Sequence, residues 1–169
     1  MTQKRAVIFD MDGVLVDNKH IHRKAWVEFC KRKDCPIAAS DFDRVGFGKK
    51  NKEYLQHFLR REISDQDAER LGEEKEAVYR ELMEHEIEPV KGLLPLLEKM
   101  KALHLKTAVA SSAPASNIHF VLDKLNINGF FDVLTDASMV TEGKPHPGIY
   151  ITTADLLSIA PERCLVFED

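Results

Sequence analysis

Ala6-Val7-Ile8-Phe9-Asp10-Met11-Asp12-Gly13-Val14-Leu15-Val16-Asp17 is the most informative segment of the chain. Its first four residues form a short unbroken apolar run containing β-branched side chains. Such a run, closed by an Asp/Gly cluster, reads as a parallel strand buried on both faces. The strand stops at two carboxylates, Asp10 and Asp12, set two residues apart in one turn. Gly13 lets that turn close tightly, because it carries no Cβ.

Three similar strands are expected further along: Lys106-Thr107-Ala108-Val109-Ala110, Phe131-Asp132-Val133-Leu134-Thr135 and Cys164-Leu165-Val166-Phe167. Each ends in polar side chains: Ser111-Ser112, Asp136 and Glu168-Asp169. Helical patterns over 92–103, 114–126 and 147–158 separate them, each with a proline at or near its start. Alternating strands and helices imply a Rossmann-like α/β fold, a parallel sheet with right-handed crossovers. In such open sheets, ligands bind at the C-terminal edge of the strands.

Residues 17–87 break the alternation and show helical periodicity only. One helix is expected over Lys19–Lys33 and another over Asn51–Arg61. Ser64-Asp65-Gln66-Asp67 reads as a capping box opening a long third helix that carries Leu71, Lys75, Val78 and Leu82 on one stripe. This block is expected to be an all-helical cap inserted into a core made of residues 1–16 and 88–169, lying over the strand ends as a lid.

Composition bounds the rest. The chain has 169 residues, 44% hydrophobic and 31% charged, with a net charge of −4. Nothing suggests disorder. The mildly acidic balance argues against a nucleic-acid surface, and Lys49-Lys50-Asn51-Lys52 is too short a basic cluster to reverse it. Cys30, Cys35 and Cys164 are odd in number and widely spaced, so they read as packing residues in a reducing, cytoplasmic compartment. No stretch is apolar for long enough to suggest a membrane span or a signal peptide. The sequence is silent on oligomeric state, and a monomer is the default expectation.

Four motifs stand in a set order: Asp10-x-Asp12-Gly13, Ser111, Lys144 within Gly143-Lys144-Pro145-His146-Pro147, and Glu168-Asp169. Alone, each has an ordinary reading as a turn, a surface loop or a solvated acidic pair. Together, across the whole chain, they resemble the haloacid dehalogenase superfamily. The similarity is to its branch with a helical cap after the first motif, which includes sugar-phosphate phosphatases and β-phosphoglucomutase.

The resemblance implies roles. Asp10 is the nucleophile that takes up a phosphoryl group as an aspartyl-phosphate. Asp12 acts as general acid and then general base. Mg²⁺ is the expected cofactor, held by the carboxylates of Asp10 and Asp169, by the Asp12 backbone carbonyl, and by Glu168 through water. Ser111 bonds a phosphoryl oxygen and Lys144 neutralises charge. Gly13 and Ser112 line the phosphate site, and cap residues His22, Lys49 and Lys75 fall where relatives contact substrate.

Some residues depart from the mutase pattern. Lys49 stands where an arginine would form a bidentate fork, Asn18 and Lys52 where hydroxyl residues sit, and Pro114 where the mutase has a lysine near the phosphate. The run Ser111-Ser112-Ala113-Pro114 is closer to the phosphatases. The expected partner is therefore a small phosphorylated metabolite, a sugar phosphate above all. β-Phosphoglucomutase is the alternative activity, and a non-catalytic phosphoacceptor or binding module a remote one. Relatives continue beyond the acidic pair with a helix and a strand, so the C-terminal part of the core is expected to lie outside this sequence.

Overall fold

The computed structural model describes residues 3–46 and 49–169. It divides into two compact units: residues 1–17 with 87–169, and residues 18–86.

The first unit is built on a four-stranded sheet. Its strands are β1 (Ala6–Phe9), β2 (Lys106–Ala110), β3 (Val133–Thr135) and β4 (Cys164–Phe167), in the order β3-β2-β1-β4. Every pair is parallel, and Ile8 sits level with Ala108 on one side and Val166 on the other. All four β1 side chains are buried, which is why its apolar run is continuous rather than alternating. The even-numbered ones, Ala6 and Ile8, join Ala108, Ala110, Ile149, Ala154 and Cys164 in one apolar cluster. On the opposite face Phe9 stacks on Phe167 (5.2 Å between centroids) and meets Phe131 edge-on. Burying a side chain such as Phe9 is worth about 1.5–3 kcal/mol. β4 is one of the two edge strands, and Leu165, Val166 and Phe167 remain more than a third exposed.

β3 is shorter than the expected strand. Its first two positions are used otherwise. Phe131 closes a 3₁₀ turn over Asn128–Phe130, its N–H donating to Asn128 O (3.1 Å). The Asp132 carboxylate accepts from the Thr107 N–H (3.0 Å) and the Lys106 ammonium (2.6 Å).

In the second unit α1 (Lys19–Arg32), α2 (Ala39–Val45), α3 (Asn51–Leu59) and α4 (Asp65–Met83) are all helical, and no strand occurs among its described residues. Helix α2 is additional to the sequence reading; the Asp41 carboxylate accepts from the Ala38 N–H (2.8 Å) at its start. At the start of α4, Ser64 Oγ accepts from the Asp67 N–H (3.1 Å), and the Ser64 hydroxyl meets the Asp67 carboxylate (3.2 Å). The core of this unit is aromatic. Trp26 packs against Phe29, Tyr54 and Phe58, with Leu55, Ile63 and Leu71 around them.

Three helices complete the first unit: α5 (Leu93–Ala102), α6 (Ala115–Lys124) and α7 (Gly148–Leu156). Helix α7 packs on β2 and β3. That contact fixes the loop before it, which carries Lys144. No described helix is long and apolar enough to cross a membrane.

Candidate active site

Asp10 is the first residue past β1. Its N–H donates to Phe167 O (3.0 Å), so the ends of β1 and β4 are tied where the carboxylates begin. The chain then turns back on itself. Gly13 N–H donates to Val16 O (2.7 Å), Leu15 N–H donates to Met11 O (2.8 Å), and Gly13 takes a left-handed φ of +82°. A Cβ built there would stand 2.5 Å from Asp169 Oδ2. The loop therefore needs glycine both for its backbone angle and for the approach of that carboxylate.

Lys144 reaches the same place from the loop before α7, through a cis peptide to Pro145. Its Nζ lies 2.9 Å from Asp10 Oδ1 and 2.9 Å from Glu168 Oε2. Tyr150, near the start of α7, donates from its hydroxyl to Glu168 Oε2 and places its ring 5.1 Å from the Lys144 ammonium.

Electrostatics follow from burial. Asp10 is only 7% exposed, and burial pushes its carboxyl up to about 6, against the pull of the Lys144 charge and hydrogen bond. Burial works against the Lys144 ammonium as well. The Asp10 charge, with bonds to Tyr150, Glu168 and Asp10, more than reverses this and raises its pKa above the ordinary lysine value. The Tyr150 phenol is also raised, by burial and then by its bond to Glu168.

Asp10, Glu168 and Asp169 bring carboxylate oxygens within 4.8 Å of one another. Like charges so close repel, and one lysine bonds only two of the three. An all-oxygen set with surplus negative charge fits a hard divalent cation such as Mg²⁺. The Gly13 cradle, open to the Asp169 carboxylate, fits it too.

The other expected site residues divide in two. Asp12 is half-buried in the turn and pairs with Val16; its carboxylate is not one of the clustered three. Ser111 is buried at the end of β2, its N–H donating to Thr135 O (3.0 Å) and its Oγ accepting from the Ala113 N–H (3.1 Å), while Ser112 is exposed. His22, Lys49 and Lys75 belong to the second unit. Lys49 is exposed, 3.9 Å from Glu53. Lys75 is 1% exposed, its ammonium 2.8 Å from Glu76 Oε1 and 3.2 Å from His22 Nδ1. His22 stacks on Tyr79 at 4.1 Å. Inside their unit, Lys75 and His22 thus form a polar cluster with Glu76, whose Oε1 also accepts from Asn51 (2.8 Å).

Tyr150 was not among the expected site residues, since its spacing with Ile149, Ala154 and Leu157 marks it as helix packing. A signal was available. It is a hydroxyl-bearing aromatic in the first turn of the helix that follows the Lys144 loop. His146 is a loop residue, its Nδ1 accepting from the Gly148 N–H (3.1 Å).

The haloacid dehalogenase-like hydrolase family matches over residues 4–169. The phosphorylated carbohydrates phosphatase of Thermotoga maritima is 33% identical, over 97% of this chain and 76% of that protein. The β-phosphoglucomutase of Bacillus subtilis is 30% identical, over 98% of this chain and 75% of that protein. Among solved structures, a family IA, variant 3 HAD hydrolase from Entamoeba histolytica superposes with a TM-score of 0.88 at 32% identity, covering 98% of this chain and 75% of that one.

Proposed function

This chain belongs to the haloacid dehalogenase-like hydrolase family, and on that footing we propose that it is a Mg²⁺-dependent phosphatase of a small phosphorylated metabolite, a sugar phosphate in the first instance. The observation that carries the reading is Asp10 itself: a buried carboxylate at a strand end, bonded to a lysine and grouped with two further carboxylates.

In the proposed reaction an Asp10 oxygen attacks phosphorus, the ester oxygen leaves, and an aspartyl-phosphate forms. Asp12 protonates the departing oxygen, then takes a proton from the water that hydrolyses the aspartyl-phosphate and restores Asp10. Lys144 offsets the charge of the nucleophile and of the phosphoryl oxygens. Ser111 and the Gly13 loop lie at the same sheet edge and would bond those oxygens. Asp10, Asp169 and Glu168 would hold Mg²⁺, with the Asp12 carbonyl. When bound, it would supply charge neutralisation on the phosphoryl group. The helical unit, 18–86, is read as the cap that relatives of this branch carry.

The Thermotoga phosphatase supports hydrolysis of a phosphorylated carbohydrate. The Bacillus mutase supports a second reading, transfer between positions of a sugar. A screen of phosphorylated sugars with Mg²⁺, reading free phosphate, tests the first. Asp10→Asn should release none. Conversion of β-glucose 1-phosphate to glucose 6-phosphate with a trace of bisphosphate, and without free phosphate, would replace it with the second.

A further inference from the structure

We propose that Tyr150 is a positioning residue for Lys144, holding its ammonium between the nucleophile and Glu168. The inference rests on the phosphatase reading only for its consequence in turnover. The geometry stands by itself.

A lysine ammonium has three N–H donors at the end of a flexible stem, and loses rotamer freedom when held in one place. Here Nζ lies 2.9 Å from Asp10 Oδ1 and 2.9 Å from Glu168 Oε2. Tyr150 in turn donates to the same Glu168 oxygen. Its ring completes the cradle, with the ammonium 5.1 Å from the centroid, within cation–π range. One side chain thus contacts Lys144 through its ring and, through its hydroxyl, restrains the acidic partner of that lysine.

Tyr150 can do this because it is held on a regular element. It lies in the first turn of α7, its N–H donating to Pro147 O (3.0 Å), and it packs on the cluster of Ala6, Ile8 and Ile149. That packing is a structural role that the ring alone fulfils. The hydroxyl is not needed for it. The hydroxyl is spent on Glu168, the carboxylate that holds Lys144, and electrostatic stabilisation of a transferring phosphoryl group depends on such a cation being placed before the reaction starts.

Tyr150→Phe separates the two roles, since it keeps the ring and removes the bond to Glu168. Three measurements are made on the wild type, Tyr150→Phe and Asp10→Asn. They are p-nitrophenyl phosphate hydrolysis with Mg²⁺, the thermal midpoint, and the rate of Lys144 acylation by an amine-reactive ester, read by peptide mass spectrometry. Expected for Tyr150→Phe are a kcat lowered about ten-fold, the equivalent of one hydrogen bond to a charged group, with KM and midpoint unchanged. Lys144 should be acylated several-fold faster. A wild-type kcat, an effect confined to KM, or unchanged acylation overturns the proposal while leaving the phosphatase reading intact. A wild type that releases no phosphate from this or any sugar phosphate defeats the phosphatase reading instead. Acylation then decides by itself whether Tyr150 holds the ammonium.

Discussion

A methyl group on Gly13 would stand 2.5 Å from Asp169 Oδ2, closer than any real contact allows. These two residues come from opposite ends of the chain and share one small volume. Gly13→Ala should cost about 1–2 kcal/mol from its left-handed backbone and also displace the Asp169 carboxylate. Gly92, with φ +89° and nothing within 4 Å of an added Cβ, isolates the first effect. Thermal unfolding should fall in both alanine variants. The Mg²⁺ concentration for half-maximal turnover should rise in Gly13→Ala alone.

In the proposed reaction Asp10 must be ionised to attack. Burial pushes its carboxyl up to about 6, so activity should be full above that pH and fall as pH drops through it. Lys144 favours the charged form. Lys144→Met should therefore move the acid limb to higher pH and lower kcat by roughly 10²–10³, the loss seen when one charge-stabilising donor is removed. Metal ligation also favours the carboxylate, so more Mg²⁺ should move the limb to lower pH. A pH profile of kcat/KM in both forms checks this.

Removing divalent metal should abolish turnover without unfolding the chain. The sheet core of Ala6, Ile8, Ala108 and Ile149 owes nothing to the carboxylate cluster. EDTA followed by added Mg²⁺ should return activity in full, while circular dichroism stays constant. A chelated protein that retained its rate would remove the metal from the proposal.

Lys75 and Glu76 form a buried ion pair in the helical unit, 2.8 Å apart. Burial alone would raise the Glu76 carboxyl; the Lys75 charge overcomes it and holds it down at about 2, from 4.5. The folded form thus binds the proton less well than the unfolded chain. The resulting stability is present above pH about 4.5 and lost as pH falls toward 2. Glu76→Ala would leave the Lys75 ammonium buried without its charge partner and should cost about 3–5 kcal/mol. Lys75→Met with Glu76→Met should recover much of that. Trp26 is the single tryptophan, and Lys75 Nζ lies 5.2 Å from its ring, so its fluorescence reports this unit.

The class of fold was legible in the amino-acid order, and so were the groups proposed here to react. Ala6–Phe9 could be read as a fully buried strand because burial on two faces leaves an unbroken apolar run. Asp10, Lys144 and Glu168-Asp169 could be singled out because they stand in a set order at strand and loop ends, the order that carries the family resemblance; each alone reads as a turn, a loop or a solvated pair. Strand β3 is shorter than the expected Phe131–Thr135, because Phe131 closes a local turn onto Asn128 and Asp132 is taken by Thr107 and Lys106, neighbours 25 and 26 residues away. Helix α2 was missed because only Phe42 among its residues is buried, which leaves almost no periodic signal. The structure alone decided which groups touch. That Lys144 bridges Asp10 and Glu168, that Tyr150 holds it, and that Lys75 is buried against Glu76 are matters of distance after folding. Spacing along the chain carries no record of them, whereas a buried charge, once folded, must find its partner.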